Sequence, residues 1–515
     1  MRHLIGIDIG TSGIKTIIVD ERGGLAARAF EEIPLHTPRP NWAEQDPADW
    51  WRAASNTVRE AMGTAGVTAE SIAGIGLSGQ MHSSVLLDER NEVLRPSILW
   101  CDTRTSDQCR WITEQAGEKN LVDWVSNPAL EGFTAPKLVW VRDQEPDVYD
   151  RIRKVMLPKD YIRFRMTGEF AMEVSDAAGT LLFDVRERSW SGAMMDAIGL
   201  PAEFLPPTFE SIDVCGHVTE EVAADMGLKP GTPVVGGGAD NTCGAVGAGI
   251  VRSGRILASL GTSGVVFAHT DDVRVDPELR VHTFCHSVPD KWYLMGVTLF
   301  AGGAFQWLRN TLGEVEVSAA RMLDTDPYEL LTTQAARAPA GSEGLVFLPY
   351  LMGERTPHKD ANARGAFIGI TGRHGRPHMI RSVMEGVTFA LRDSIEIMRE
   401  LGLSVTQVRS TGGGARSSLW RQIQADVYGA EVVTVNAEEG PAFGAAILAA
   451  VGTGVYGTVE DAADDLVDVV SRTEPDPEAS KRYEECYGIF KSMYPALKPG
   501  FDALGSMVEK QRSRN

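Results

Sequence analysis

Gly10-Thr11-Ser12-Gly13 and Gly261-Thr262-Ser263-Gly264 are the same four residues, one copy in each half of the chain. The first copy follows Leu4 to Ile9, where Ile5, Ile7 and Ile9 share one face at period 2, the pattern of a strand. The second lies between two apolar runs, Ile256 to Leu260 and Val265 to Phe267. Each turn offers backbone N–H groups and two hydroxyls, and Lys15 stands just beyond the first. Consecutive N–H donors make a concavity that holds phosphate oxygens. A single turn of this type serves the shape of a hairpin alone. Two of them, each between strand-like runs, predict two related domains that clasp one phosphorylated ligand.

Three further stretches place reactive or ligand-facing groups at strand ends. Val234 and Val235 run into Gly236-Gly237-Gly238 and then present Asp240 and Asn241 ahead of a small-residue helix, Thr242 to Ile250. Asp240 could simply cap that helix. Capping does not call for three preceding glycines, which let a backbone or ligand come close, so catalysis is the favoured role. The run Val408 to Thr411 enters Gly412-Gly413-Gly414-Ala415, flat backbone suited to a nucleobase and ribose. Met81 and His82 follow the glycine-bearing strand Ile72 to Gly79, although a lone histidine is more often structural.

Two familiar motifs fail on context. Gly74, Gly76 and Gly79 match the dinucleotide GxGxxG spacing, and Asp102 sits near the distance of a ribose ligand. A helix should follow the last glycine, yet residues 85–88 and 93–96 read as strand, turn, strand, which argues against a nicotinamide cofactor. No GxxxxGK[ST] occurs, because Lys15-Thr16 has isoleucine at positions 9 and 14 where that loop needs glycine. His282, Cys285 and His286 lie close together in a strand-like run without a second ligand pair, so they read as packed side chains rather than a zinc site.

The positioning elements are legible from caps and periodicity. Asp46-Pro47 opens a helix with Trp50 and Trp51. Ser417 caps another with Leu419, Ile423 and Val427, and Gly302 and Gly303 precede a third with Phe305 and Trp307. Residues 377–401 carry apolar side chains at three- and four-residue steps, a core-facing helix. Gly440 to Ala446 starts a small-residue helix expected to pack beneath the 412–414 glycine run, and beyond Thr473 the tail reads as polar and helical.

At 515 residues the chain is too long for one ordinary core and suits two large domains. Its 43% hydrophobic and 23% charged residues are those of a soluble globular protein. The formal charge of −20, without a basic tract, argues against a nucleic-acid partner. No apolar run approaches membrane-spanning length, no basic-then-apolar leader precedes the first strand, and the six cysteines lack a CxxC; a cytoplasmic location is expected.

Dispersed stretches together resemble the FGGY family of sugar kinases, within the actin-like ATPase superfamily, over nearly the whole length. One family signature runs from Gly132 through Thr134, Lys137, Leu138 and Trp140 to Asp143-Gln144. The other runs from Gly365, Phe367 and Gly369-Ile370 to His378-Met379 and Ser382 to Glu385. Residues 42–47, 80–82, 157–161, 175–180 and 353–357 are similar to the xylulokinases of that family. The resemblance implies an α/β fold of two ribonuclease-H-like domains around a central cleft, residues 1–245 and 246–515. It implies ATP and Mg²⁺, with Asp8 near the metal and Gly10, Thr11, Ser12, Lys15, Gly261, Thr262 and Gly303 among the nucleotide-binding residues. Gly412, Gly413, Gly414 and Ala415 would border adenosine. Met81, His82, Asp240 and Asn241 would face the sugar, with Asp240 as the base. D-xylulose is the expected acceptor, gluconate or L-ribulose the nearest alternatives, and a non-kinase ATPase the remote one. The resemblance allows a homodimer, since dimers are common among similar kinases, and the sequence itself leaves the oligomeric state open.

Overall fold

The computed structural model describes residues 1–436 and 439–512. Its first sheet uses β1 (His3–Ile9), β2 (Gly13–Asp20), β3 (Leu25–Glu32), β4 (Ile72–Gly79), β5 (Val214–His217), β6 (Pro233–Val235) and β7 (Gly238–Ala239). They run in the order β5-β6-β4-β1-β2-β3, with β7 also on β4. The second sheet uses β8 (Arg255–Leu260), β9 (Gly264–Thr270), β10 (His282–Cys285), β11 (Trp292–Thr298), β12 (Gln407–Gly412), β13 (Glu431–Val435) and β14 (Val469–Thr473), in the order β10-β11-β9-β8-β12-β13-β14.

The two sheets share a plan. β1–β2 and β8–β9 are antiparallel hairpins, each flanked on one side by an antiparallel strand (β3, β11) and on the other by a parallel one (β4, β12). The repeated turns close these equivalent hairpins, at Ile9↔Ile14 and Leu260↔Gly264. The duplication expected from the sequence is therefore a duplication of strand order and sense.

Helix α1 (Pro47–Ala65) covers one face of the first sheet, where Ile5, Ile7 and Ile9 are buried with Trp50, Ala53 and Val58. Asp46 caps it by accepting from the Ala48 N–H at 2.9 Å, as its Asp-Pro start predicts. Helices α2 (Thr134–Gln144) and α3 (Val174–Ala178) belong to the segment between β4 and β5. Then come α4 (Asp240–Gly247), α5 (Gly302–Leu312), α6 (Arg376–Glu400), α7 (Ser418–Tyr428), α8 (Pro441–Gly452) and α9 (Pro477–Arg512). The long α6 is buried along most of its length in the second core, as its periodicity predicts.

Three expectations change. Helix α8 does not pack beneath the 412–414 glycine run; it crosses back onto the first sheet, where Ala442 O and Ala445 O rest on Gly6 and Gly76 so closely that a Cβ there would stand 1.9 and 2.0 Å away. Of the dinucleotide-like glycines, Gly76 thus admits a helix, and β4 leads into a turn and the short strand Val85–Leu87 rather than into a helix. The second strand expected there reduces to one bridge, Leu87↔Val93. The polar tail does form a helix, α9, but it buries Tyr483, Tyr487 and Phe490 against the α6 core. Among the described residues, no helix is long and apolar enough to cross a membrane.

Candidate functional site

Asp240 is the first residue of α4 and not its cap, a position that Ala239 takes. Its Oδ1 accepts the Asn241 N–H at 2.7 Å. Burial, with the Asp8 charge adding to it, pushes the Asp240 carboxyl up to about 7. The three glycines ahead of it make room for other atoms of the protein, backbone at Gly236 and Gly237 and side chain at Gly238. A Cβ on Gly237, which has φ +73°, would meet Leu77 O at 2.0 Å, and one on Gly238 would meet Ser287 Oγ at 2.2 Å. They draw this strand against β4 and so bring Asp240 alongside the first turn.

Asp8 lies two residues beyond Gly6 on the face of β1 that α8 covers, so it emerges past the N-terminal end of that helix. Burial raises its carboxyl, with Ser78 and Lys15 pulling the other way. Its Oδ1 is buried without a hydrogen-bond partner, an acceptor free for a hard cation. Lys15, opposite Asp8 across the hairpin, instead pairs with Glu439 at 3.4 Å. Among the described residues no group of three or more His, Cys, Asp or Glu could hold a metal unaided. Mg²⁺ needs none, since one carboxylate and phosphate oxygens suffice.

A cavity of about 380 Å³ begins at Asp240 and Asn241 and runs along α4 to Ser259 and Phe267 of the second sheet, with Thr411, Gly412 and Gly440 at its edge. A larger one, of about 590 Å³, adjoins Gly261, Thr262, Gly303, Gly413 and Gly414. The glycine run separates them, and its turn demands glycine: Gly412 has φ +79°, and a Cβ would lie 2.6 Å from Leu260 O. The second turn is braced by the head of α5, where the N–H groups of Gly302 and Gly303 donate to Gly261 O and Thr262 O at 2.8 and 3.0 Å. Thr262 is exposed, as is Ser12 in the first turn, whereas Ala415 and Gly10 are half-buried.

Met81 and Asn241 meet, since the Asn241 Nδ2–H donates to Met81 Sδ at 3.7 Å, and each has its sequence neighbour, His82 or Asp240, beside it. His82 has φ +70°, and its Nδ1 lies 2.5 Å from Gly179 O. A carbonyl only accepts, so Nδ1 carries the proton and Nε2 is left as an acceptor. Burial lowers this imidazole to about 3. We expect its ring resonances to show no titration between about pH 5 and 8, because the neutral form persists throughout. A midpoint near 6.5 by NMR would show that the ring is solvated.

Sequence reasoning missed the outer wall of the larger cavity. Arg309 of α5 stacks over the Tyr328 ring at 4.9 Å, and Arg416 and Ser417 complete the rim. It also missed Trp100, whose exposed indole N–H donates to Thr11 Oγ1 at 2.9 Å beside the first turn. The only signal for Tyr328 was the Asp326-Pro327 cap ahead of it, far from the glycine run in sequence. Asp102, set aside as a ribose ligand, is buried and holds the Ala43 N–H and Arg104. His282 pairs with Asn127 at 3.0 Å and His286 with Ile250 O at 3.0 Å, as packed histidines do.

Comparison with known proteins agrees with this geometry. Residues 3–247 match the N-terminal domain of the FGGY family of carbohydrate kinases, and residues 256–453 match its C-terminal domain. A xylulose kinase of Bacillus subtilis is 42% identical over 98% of this chain and 99% of that protein. A gluconokinase of the same organism is 30% identical over 96% of each. The crystal structure of xylulose kinase from Rhodospirillum rubrum superposes with a TM-score of 0.91 at 32% identity, covering 97% of this chain and all of that one. With both domain models matched in order around one cleft, the chain belongs to the FGGY family of carbohydrate kinases.

Proposed function

We propose that the protein transfers the γ-phosphoryl group of ATP to the 5-hydroxyl of D-xylulose, giving D-xylulose 5-phosphate and ADP. The observation that carries the reading is the position of Asp240 and Asn241 in a cavity bordered by Thr411 and Gly412, with Asn241 in contact with Met81, the neighbour of His82. The identity to proteins named xylulose kinase, higher than to the gluconokinase, supports the choice of sugar.

In this reading adenosine lies along Gly412 to Ala415 in the larger cavity, and its phosphates pass between the two turns, near Thr11, Ser12 and Thr262. Lys15 reaches them only if its ion pair with Glu439 opens. Phosphoryl transfer runs through a loose transition state, so positioning and charge neutralisation dominate. The 5-hydroxyl oxygen bonds to the γ-phosphorus, the bond to the β-phosphate bridging oxygen breaks, and the hydroxyl proton passes to Asp240. A base near neutrality suits that task better than an ordinary aspartate of about 3.9. His82 Nε2 accepts from a sugar hydroxyl, and Asn241 offers an amide. Asp8 would hold Mg²⁺, which supplies neutralising charge at the phosphates when bound.

A panel of D-xylulose, gluconate and L-ribulose in a coupled ADP-release assay tests the reading. D-xylulose should give the highest kcat/KM, and release that no sugar accelerates would refute kinase activity. Asp8→Asn is expected to raise the Mg²⁺ concentration needed for half-maximal rate by about tenfold or more, because the orphaned acceptor loses its charge. An unchanged Mg²⁺ titration would remove Asp8 from that role.

A further inference from the structure

Behind the reacting groups lies a buried polar chain that the chemistry above does not use. Lys159, Asp160, Arg163, Glu173 and Asp176 are all completely buried. Lys159 Nζ stands 2.7 Å from Asp160, 2.9 Å from Asp176 and 3.3 Å from Glu173 Oε1. Glu173 caps the short helix α3, accepting the N–H groups of Ser175 and Asp176 at 2.8 Å each, and Ser211 donates to its other side at 3.0 Å. Such a carboxylate has no rotational freedom left.

From Glu173 the chain runs to the catalytic strand. The Ser175 hydroxyl donates to Glu173 Oε1 at 2.7 Å, and its oxygen accepts the Ala239 N–H at 3.0 Å. Thr242 donates to Ala239 O at 2.9 Å, which leaves its oxygen to accept from Ser287 at 2.6 Å. Both backbone groups of Ala239 are therefore held by side-chain hydroxyls, and Ala239 is the residue before Asp240. Arg163 anchors the same segment three residues earlier, donating to Gly236 O at 2.8 Å. At the other end of α3, Gly179 O is the acceptor that fixes the His82 ring. The Thr134 hydroxyl holds His82 O at 2.9 Å, and the Ala135 N–H holds Thr180 O at 2.9 Å.

We propose that Ser175 is a positioning residue for phosphoryl transfer: its hydroxyl, oriented by Glu173, fixes the backbone that aims Asp240, while the far end of the same helix fixes His82. The proposal rests on the reading of Asp240 as the base. One five-residue helix thus sets the separation between the group that takes the proton and a group that holds the sugar. Displacement of about 1 Å at a reacting group costs up to about 10²-fold in rate. Removing the Ser175 hydroxyl leaves the Ala239 N–H buried without a partner and frees that junction to shift.

The test is a double-mutant cycle on the full chain, read as kcat and KM. Ser175→Ala should lower kcat about 10- to 100-fold with KM for ATP unchanged. In the Asp240→Ala background the same change should cost less than about twofold, because there is no base left to aim. Equal losses in both backgrounds, or a Ser175→Ala variant with wild-type kcat, would overturn the proposal. Asp240→Ala alone decides the underlying reading: full activity there refutes the base, whatever Ser175 does, and this proposal with it. Should Ser175→Ala fail to fold, Ser287→Ala, one hydroxyl farther out, should lower kcat by about threefold and likewise lose its effect beside Asp240→Ala.

Discussion

Asp240→Ala is expected to lower kcat by about 10²–10⁴ while nucleotide affinity stays within about twofold. The rate loss follows from removing the one carboxyl at this end of the cavity that is poised near neutrality. Affinity is spared because the glycine run and the second turn, which would hold the nucleotide, touch none of its atoms through a hydrogen bond. Single-turnover kinetics and calorimetric titration with ADP separate the two effects, and turnover near wild type would sink the assignment.

The same residue carries a stability signature that serves as an independent check. Its folded value is raised from 3.8 to about 7, so the unfolded chain ionises first. The folded state is then favoured below the unfolded value, and that advantage is lost as pH rises from about 4 to 7. Asp240→Asn removes the titration. Its unfolding free energy should therefore exceed that of the wild type by a margin that widens from about pH 4 to 7 and then levels, on the order of 1–3 kcal/mol at the plateau. A margin independent of pH would mean that the carboxyl is not destabilised by its surroundings.

The parts of the site that could be read in the sequence are those in which one local stretch contains both the cause and the consequence. A strand pattern, two glycines and two hydroxyls define each turn, and the repetition at positions 10 and 261 betrayed the paired hairpins. Asp240, at the end of a strand and the head of a helix, was visible for the same reason. The reason given for its glycines was incomplete, because the atoms they admit, Leu77 O and Ser287 Oγ, are remote in sequence. Gly76, the middle glycine of the GxGxxG-like trio on β4, carries the same lesson, since the helix it accommodates arrives some 370 residues later by the arithmetic of positions 76 and 445. Tyr483 and Tyr487 were hidden in a tail that is polar on average. Their hydroxyls donate to Glu385 and Asp393 at 2.7 Å each, and such pairings become apparent only once α9 lies along α6.

Gly444→Ala is expected to cost about 3 kcal/mol or more, or to prevent folding outright, although alanine is the better helix former. A Cβ at Gly444 would lie 1.8 Å from Cys243 O and 2.6 Å from Cys243 C, both backbone atoms of α4. No rotamer change relieves such a clash, so α4 and α8 must part. Helix α8 cannot retreat, because Gly6 and Gly76 already hold its Ala442 and Ala445 carbonyls against the first sheet. The displacement falls on α4, whose first residue is Asp240, and kcat should fall in whatever fraction folds. Gly457 is the control: nothing lies within 4 Å of its Cβ position and its φ is not positive, so Gly457→Ala should be neutral to slightly stabilising. Urea unfolding of the two variants decides the matter. A Gly444→Ala protein with wild-type midpoint and kcat would mean that the crossing is looser than its carbonyl contacts imply, and that Asp240 is aimed by something other than the seat of its helix on α8.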